Sequence, residues 1–215
     1  RVLFRSPISI FWFRQDLRLA DNPGLLEAAN LGKVLPIYIY DSNCPKDFEL
    51  GAVSKIWLHQ SLLSLQQALK NNLNFYCGKP EDVFNQLSKN YNIENIFWGD
   101  CYEPWVMRQE QKVKNLLNKL QIKYKTYNSC YLWSPKDILK DDGTYYKVFT
   151  AYKNKSLFLQ PRLPLPKPKK LTCVTDQYNK TELEDLNLIP SDKISVSVSS
   201  TEALRGDYEK IYEIH

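Results

Sequence analysis

From Ile8 to Tyr127 the chain alternates between two hydrophobic periods. Ile8 to Phe13 (ISIFWF) is a short unbroken apolar run, the pattern of a strand buried on both faces. Val34 to Tyr40 (VLPIYIY) repeats it, and Glu94 to Trp98 gives a third. Leu73 to Cys77 and Ile122 to Tyr127 predict two more strands, the last more polar and so nearer a sheet edge.

Helical periods fill the gaps. Asn22-Pro23 opens the first helix, with Asn22 as N-cap and Pro23 at the first helical position. Val53, Trp57, Leu58, Leu62, Leu65 and Leu69 form one face of a second, which puts Trp57 in the core. Pro80, Glu81 and Asp82 open a third that buries Val83, Phe84, Leu87 and Tyr91. Pro104 opens a fourth, with Val113, Leu116, Leu117 and Leu120 inward and Arg108, Glu110, Lys112, Lys114 and Lys119 outward. Strand and helix in strict alternation imply right-handed crossovers. The fold class predicted is therefore α/β, a doubly wound five-stranded parallel sheet of Rossmann-like form.

Beyond Tyr127 the pattern changes. Ser134-Pro135 predicts a short helical turn through Ile138 and Leu139, and Asp142-Gly143 a chain reversal. Tyr146 to Leu159 reads as a helix with aromatic and basic residues interleaved. Four of the twelve prolines then fall between Pro161 and Pro168, which ends regular structure. The expected organisation is an α/β domain over 1–160, an extended linker over 161–200, and the start of a further helix from Thr201 to His215.

Composition narrows the class without changing it. Of 215 residues, 43% are hydrophobic and 25% charged, an ordinary globular balance. No apolar run is long enough to cross a bilayer, and the start lacks a secretory pattern, so the expected location is cytoplasmic. Cys44, Cys77, Cys101, Cys130 and Cys173 include no CxxC pair, which argues for free thiols and against a metal site. The net charge of +5 is compatible with a polyanionic partner, but the cluster Lys167, Lys169, Lys170 reads equally well as a solvated linker.

Two common phosphate cradles are missing. Neither GxGxxG nor GxxxxGK[ST] occurs, which excludes an ordinary dinucleotide dehydrogenase or P-loop NTPase. The first strand runs instead into FWFRQDLRLADN, where Arg14, Asp16 and Arg18 collect at the carboxyl edge of the sheet. Open α/β sheets bind ligands at that edge. A structural ion-pair cluster and a direct ligand contact are both open readings of these three charges.

The same segment carries a family resemblance. FWFRQDLRLADNPGL resembles the opening signature of DNA photolyases and cryptochromes. It is followed, in family order, by GKPEDVF (Gly78 to Phe84), WGDCYEP (Trp98 to Pro104) and DGTYYKVFTAYKNKSL (Asp142 to Leu157). The tail TEALRGDYEKIYEIH is similar to the first stretch of the family's helical domain. The chain is thereby identified as the N-terminal α/β domain of a photolyase.

The resemblance implies a two-domain parent enzyme, a carbon–carbon lyase. Its helical domain holds FAD, whose reduced form donates an electron to a cyclobutane pyrimidine dimer in damaged DNA under blue light. The FAD site belongs to that other domain, so no catalytic residue is expected here and this chain alone is expected to be inactive. Strong DNA binding and membrane contact are not expected of it, and the expected state is a monomer. A cryptochrome fragment and a stand-alone, non-catalytic α/β interaction module are the alternatives.

In the family the α/β domain can hold a light-harvesting antenna. Folate-type members bind methenyltetrahydrofolate through an Asn-Glu pair where Trp105 and Val106 stand here. Deazaflavin and flavin types use the end of the second strand, here Ile39, Tyr40 and Asp41, with the loop before Pro104, which contains Cys101 and Glu103. Ser54 replaces that type's usual arginine, and Cys101 an acid. A flavin-like antenna is thus more compatible than a folate, with no chromophore as the alternative. Glu103 is expected either to contact the ligand or to satisfy amides at the helix start. Tyr145, Tyr146, Lys147 and Tyr152 are expected to face the linker and helical domain.

Overall fold

A computed structural model describes residues 6–41, 44–179 and 181–189. The expected Thr201–His215 helix lies outside the described residues. The apolar run Ile8–Phe13 forms β1, buried at every position. Its even positions, Ile8, Ile10 and Trp12, join one core cluster, while Phe11 and Phe13 join a second on the opposite face. A strand with two buried faces needs helices on both sides. They are α1 (Pro23–Leu31) and α2 (Ala52–Ala68) on the Phe11 face, and α3 (Pro80–Asn90) and α4 (Pro104–Lys119) on the Trp12 face.

With β2 (Lys33–Tyr40), β3 (Asn74–Cys77), β4 (Ile93–Gly99) and β5 (Lys123–Tyr127), the sheet runs parallel in the order β3-β2-β1-β4-β5. The chain builds outward through β2 and β3, then crosses back to place β4 beside β1. That reversal leaves a crevice outside the carboxyl ends of β1, β2 and β4. The expected fold class is the observed one. A sixth, two-residue strand, β6 (Thr172–Cys173), pairs with the start of β2. Pro36 stands in β2 where β6 has ended and β3 has not begun, so its missing N–H breaks no ladder bond. Its carbonyl accepts from Asn74 Nδ2 at 2.9 Å.

The helix starts follow the sequence closely. Asn22 Oδ1 accepts from the Leu25 amide at 3.1 Å, capping α1 as expected. Gly24, one residue into α1, packs so tightly that a Cβ would lie 2.9 Å from the Phe11 ring and 3.0 Å from that of Tyr127.

Two helix faces need correction. Trp57 is 67% exposed rather than in the core, and Val53 is exposed with it. Leu58, Leu62, Leu65 and Leu69 reach the apolar cluster on the sheet, whereas Val53 and Trp57 border the crevice. Conversely Glu110, expected to point outward, is buried, and Leu120 is exposed. Glu110 stands in register with Val106, Val113 and Leu117, the stripe that α4 turns inward.

The later segment is also shorter in regular structure than its pattern predicts. Ser134-Pro135 makes a single turn, closed by the Asp137 amide on the Ser134 carbonyl, and no helix follows. The helix expected from Tyr146 is α5, Phe149–Ser156, with no buried residue. Residues 161–171 form neither helix nor strand, consistent with their prolines. They then return to the sheet. The Asp21 amide donates to the Leu165 carbonyl at 2.8 Å, and the Leu165 amide donates to Asp21 Oδ1 at 3.1 Å, a carboxylate that also pairs with Arg162. Leu183, Leu186 and Leu188 are buried in the Phe11 cluster. Asp176, also buried, accepts from Tyr76 Oη at 2.5 Å, Tyr91 Oη at 2.6 Å and the Tyr178 amide at 2.9 Å.

Candidate functional site

The turn after β1 fixes one wall of the crevice. Asp16 is buried and accepts from the Arg14 amide at 3.3 Å and Asn22 Nδ2 at 3.2 Å. It thereby ties the end of β1 to the cap of α1. Gly99, at the end of β4, faces this carboxylate so closely that a Cβ would stand 3.0 Å from Asp16 Oδ2 and collide with Ser129.

The three loop charges do separate work. Arg18 donates to the carbonyls of Asp21 and Ser129 and lies 3.8 Å from the Asp21 carboxylate. Arg14 turns the other way, toward α4. Its Nη1 donates to Glu110 Oε2 at 2.8 Å, and its guanidinium lies 4.8 Å over the Trp12 ring. Glu110 Oε1 also meets Lys114 Nζ at 2.6 Å. Burial works against this carboxylate's charge, but the bonds from Lys114 and Arg14 outweigh it and hold the Glu110 pKa below its usual range. No ion pair to Asp16 occurs among the described residues.

Between these elements lies a cleft of about 1370 Å³. Its floor is the carboxyl ends of β1 and β2, and its sides are α2, from Val53 to Gln67, and the first turns of α4. The lining is dominated by aromatic and aliphatic groups, with Trp12, Tyr40, Phe48, Trp57 and Trp105 supplying flat faces. Phe48, from the 3-10 turn Lys46–Phe48, lies 6.2 Å from the Trp105 ring. Arg14, Arg18 and Asp41 are the charged residues among those lining it. Gln109 Nε2 donates to Asp41 Oδ2, joining α4 to the end of β2 across the cleft. Burial raises the Tyr40 pKa and pushes the Cys101 thiol up to about 12, so both are neutral at pH 7.

The structure brings Ile39, Tyr40, Asp41 and Cys101 together on this cleft, with Ser54 on the opposite wall. Glu103 is not among the lining residues. It occupies the N-cap position of α4 without making a side-chain cap bond, and its Oε1 accepts from Gln15 Nε2 at 2.9 Å. Its Oε2 is closed off from solvent with no hydrogen-bond partner among the described residues. Trp105 lines the cleft, and Val106 is buried against it, so the helix start offers apolar surface where a folate-type site has polar groups.

Two cleft residues, Trp57 and Gln109, and Glu110 behind Arg14 are not among the residues expected at the site. Gln109 and Glu110 follow Trp105 and Val106 by one helical turn, and Glu110 sits four after Val106 and three before Val113. That register was a usable signal for an inward carboxylate. Trp57 gave no such signal, since its spacing matches the buried leucines.

The lining suits a flat, mostly neutral heteroaromatic ring. Pockets for such ligands are apolar with a few placed polar groups. A polyanionic tail would find little net positive charge here, because the two cations lining the cleft, Arg14 and Arg18, each already face a carboxylate. Among the described residues, no group of acidic, histidine or cysteine side chains is placed to hold a metal ion.

Comparison with known proteins converges on one family. The family model for DNA photolyase matches residues 9–169. A deoxyribodipyrimidine photo-lyase of Agrobacterium fabrum is 28% identical over 187 residues, which cover 85% of this chain and 38% of that protein. Cryptochrome-1 of Arabidopsis thaliana is 28% identical over 180 residues, covering 78% of this chain and 26% of its own. A class III photolyase structure from Agrobacterium tumefaciens superposes with a TM-score of 0.78 at 27% identity, over 88% of this chain and 40% of that one. The chain therefore spans well under half the length of each of these three relatives.

Proposed function

The chain belongs to the DNA photolyase family, and from that premise we propose that it is the N-terminal antenna domain of a deoxyribodipyrimidine photolyase, with a flavin- or deazaflavin-type chromophore seated in the cleft. The observation that carries this reading is the cleft itself, aromatic-lined and lying outside the carboxyl ends of β1 and β2 between α2 and α4. Its size exceeds the roughly 300–1,000 Å³ of ordinary ligand pockets, leaving room for a tricyclic ring.

When bound, such a chromophore supplies absorption of blue light and passes the excitation to a flavin. The chain's own residues bind and orient it. Trp57 and Trp105 offer stacking faces, Asp41 and Gln109 offer polar atoms to a ring edge, and Val106 with Cys101 keeps water from one end. The apolar Trp105 and Val106 favour a flavin-like ring over methenyltetrahydrofolate. Repair of damaged DNA with FAD is assigned to a further domain, so this chain alone is inactive and binds DNA weakly at most. In this reading it works as a cytoplasmic monomer; among the described residues no helix is long and apolar enough to cross a membrane.

A cryptochrome is the second reading, favoured by plant cryptochromes as similar as the photolyase. It uses the same cleft.

Titration of the protein with riboflavin, and separately with methenyltetrahydrofolate, followed by tryptophan fluorescence, tests the proposal. Riboflavin is expected to quench saturably with a Kd of order micromolar, about −8 kcal/mol. Trp57→Ala should weaken it about tenfold, the value of one lost aromatic contact. Preference for the folate, or no saturable quenching by riboflavin, would refute the proposal.

A further inference from the structure

We infer that Glu110 is a positioning residue of the cleft, holding the Arg14 guanidinium against Trp12 so that its free edge is offered to an acceptor oxygen of the bound ring. This rests on the cleft being a ligand site, as proposed above.

The geometry is specific. The Arg14 and Glu110 side chains are only 7% and 9% exposed, so their pair is shielded on nearly every side. Both protein bonds of the Arg14 guanidinium are made by Nη1, to Glu110 Oε2 at 2.8 Å and to the Gly99 carbonyl at 3.4 Å. Nε and Nη2 have no protein acceptor among the described residues, yet they are not sealed from solvent. Arg14 lines the cleft. A guanidinium carries five N–H donors in a fixed plane, and fixing one edge aims the other.

Lys114 holds the second oxygen of Glu110 at 2.6 Å, which prevents the carboxylate from rotating away. The Trp12 ring fixes the plane from below at 4.8 Å. Arg14 is thus restrained by an anion, a carbonyl and a ring, while two donor groups remain free. Such a shielded arrangement contributes specificity of geometry more than stability. The chemistry it selects is a ligand with a carbonyl or anionic oxygen at its ring edge. Asp41 and Gln109, on the same cleft, present the acceptor side of the match.

A double-mutant cycle on riboflavin affinity separates positioning from general structure. Glu110→Ala should weaken binding about tenfold and Arg14→Ala somewhat more, as for loss of a charge-assisted bond. If Glu110 acts through Arg14, adding Glu110→Ala to Arg14→Ala should cost nothing further. Unchanged affinity in Glu110→Ala, or full additivity in the double variant, overturns the inference while leaving the ligand site standing. Glu110→Gln, with nearly the same volume, serves where the alanine variant does not fold.

A second arm needs no ligand. In side-chain NMR of the unliganded protein, the Arg14 Nε–H signal should be ordered in the wild type and motionally averaged in Glu110→Gln. Equal order in both overturns the inference, even if riboflavin does not bind and the ligand reading itself has failed.

Discussion

A chain ending at Gln160 loses the cooperative thermal transition of the 215-residue protein. The prolines after that point mark a natural end to regular structure, yet the chain beyond them supplies part of the core. Leu183, Leu186 and Leu188 are each almost fully buried and join the cluster of Phe11, Leu25, Leu62 and Phe75. Burial of one leucine is worth about 1.5–3 kcal/mol, so the three together contribute about 5–9 kcal/mol. That is comparable with the whole stability of a domain, about 5–15 kcal/mol. The truncation also removes β6 from the edge of β2, and the Asn179 amide from the Phe75 carbonyl. Circular dichroism melting of both chains checks the expectation. A truncated chain that melts cooperatively within about 5 °C of the full one would place the last quarter outside the folding unit.

The second large effect is at Asp176. Its carboxylate accepts two tyrosine hydroxyls and an amide, and its own amide donates to Asn74 Oδ1 at 2.6 Å. Asp176→Ala leaves the Tyr76 hydroxyl buried without an acceptor. Bonds to a charged group are worth about 1.5–3 kcal/mol each, so a loss of about 3–4 kcal/mol is expected. For a chain of this size that lowers Tm by about 10 °C. Asp176→Asn keeps an acceptor oxygen and should lose less than half as much.

The same cluster sets an alkaline limit. Burial first, then the bond to Asp176 and its charge, raise the pKa of both Tyr76 and Tyr91 above the ordinary value of 10.0. The folded state therefore keeps protons that the unfolded chain releases. This contribution is complete below about pH 10 and is lost progressively as pH rises beyond it. Denaturant titrations at about pH 9 and 11 should show that loss, with a smaller difference in Asp176→Asn.

The sheet was legible in the sequence because continuous apolar runs such as Ile8–Phe13 have few alternatives to a doubly buried strand. Helix starts were legible through Asn22, Pro23, Pro80 and Pro104, whose chemistry is local. Helix faces were less so. Trp57 follows the periodicity of the leucines, but the periodicity does not record where the supporting sheet stops. Glu110 looked like surface by residue type, whereas its burial depends on Arg14, 96 positions away. The return of residues 172–188 was hidden for a similar reason. Two strand residues and three spaced leucines carry no period, and their partners are 100 positions upstream or more.

Of the candidate site, Ile39, Tyr40, Asp41 and Cys101 were found through family motifs and do share one cleft. Glu103 stands apart from it, linked through Gln15. The aromatic walls and the Gln109–Asp41 bridge leave no local pattern in the sequence, since α2, α4 and β2 meet only in the folded chain.

Seating of a flavin-like ring in this cleft is decided most directly by difference density from crystals of the protein soaked in riboflavin. The account predicts a planar feature bordered by Trp12, Tyr40, Asp41 and Gln109, absent from unsoaked crystals. Density for riboflavin elsewhere, or an unchanged cleft at saturating riboflavin, would contradict it.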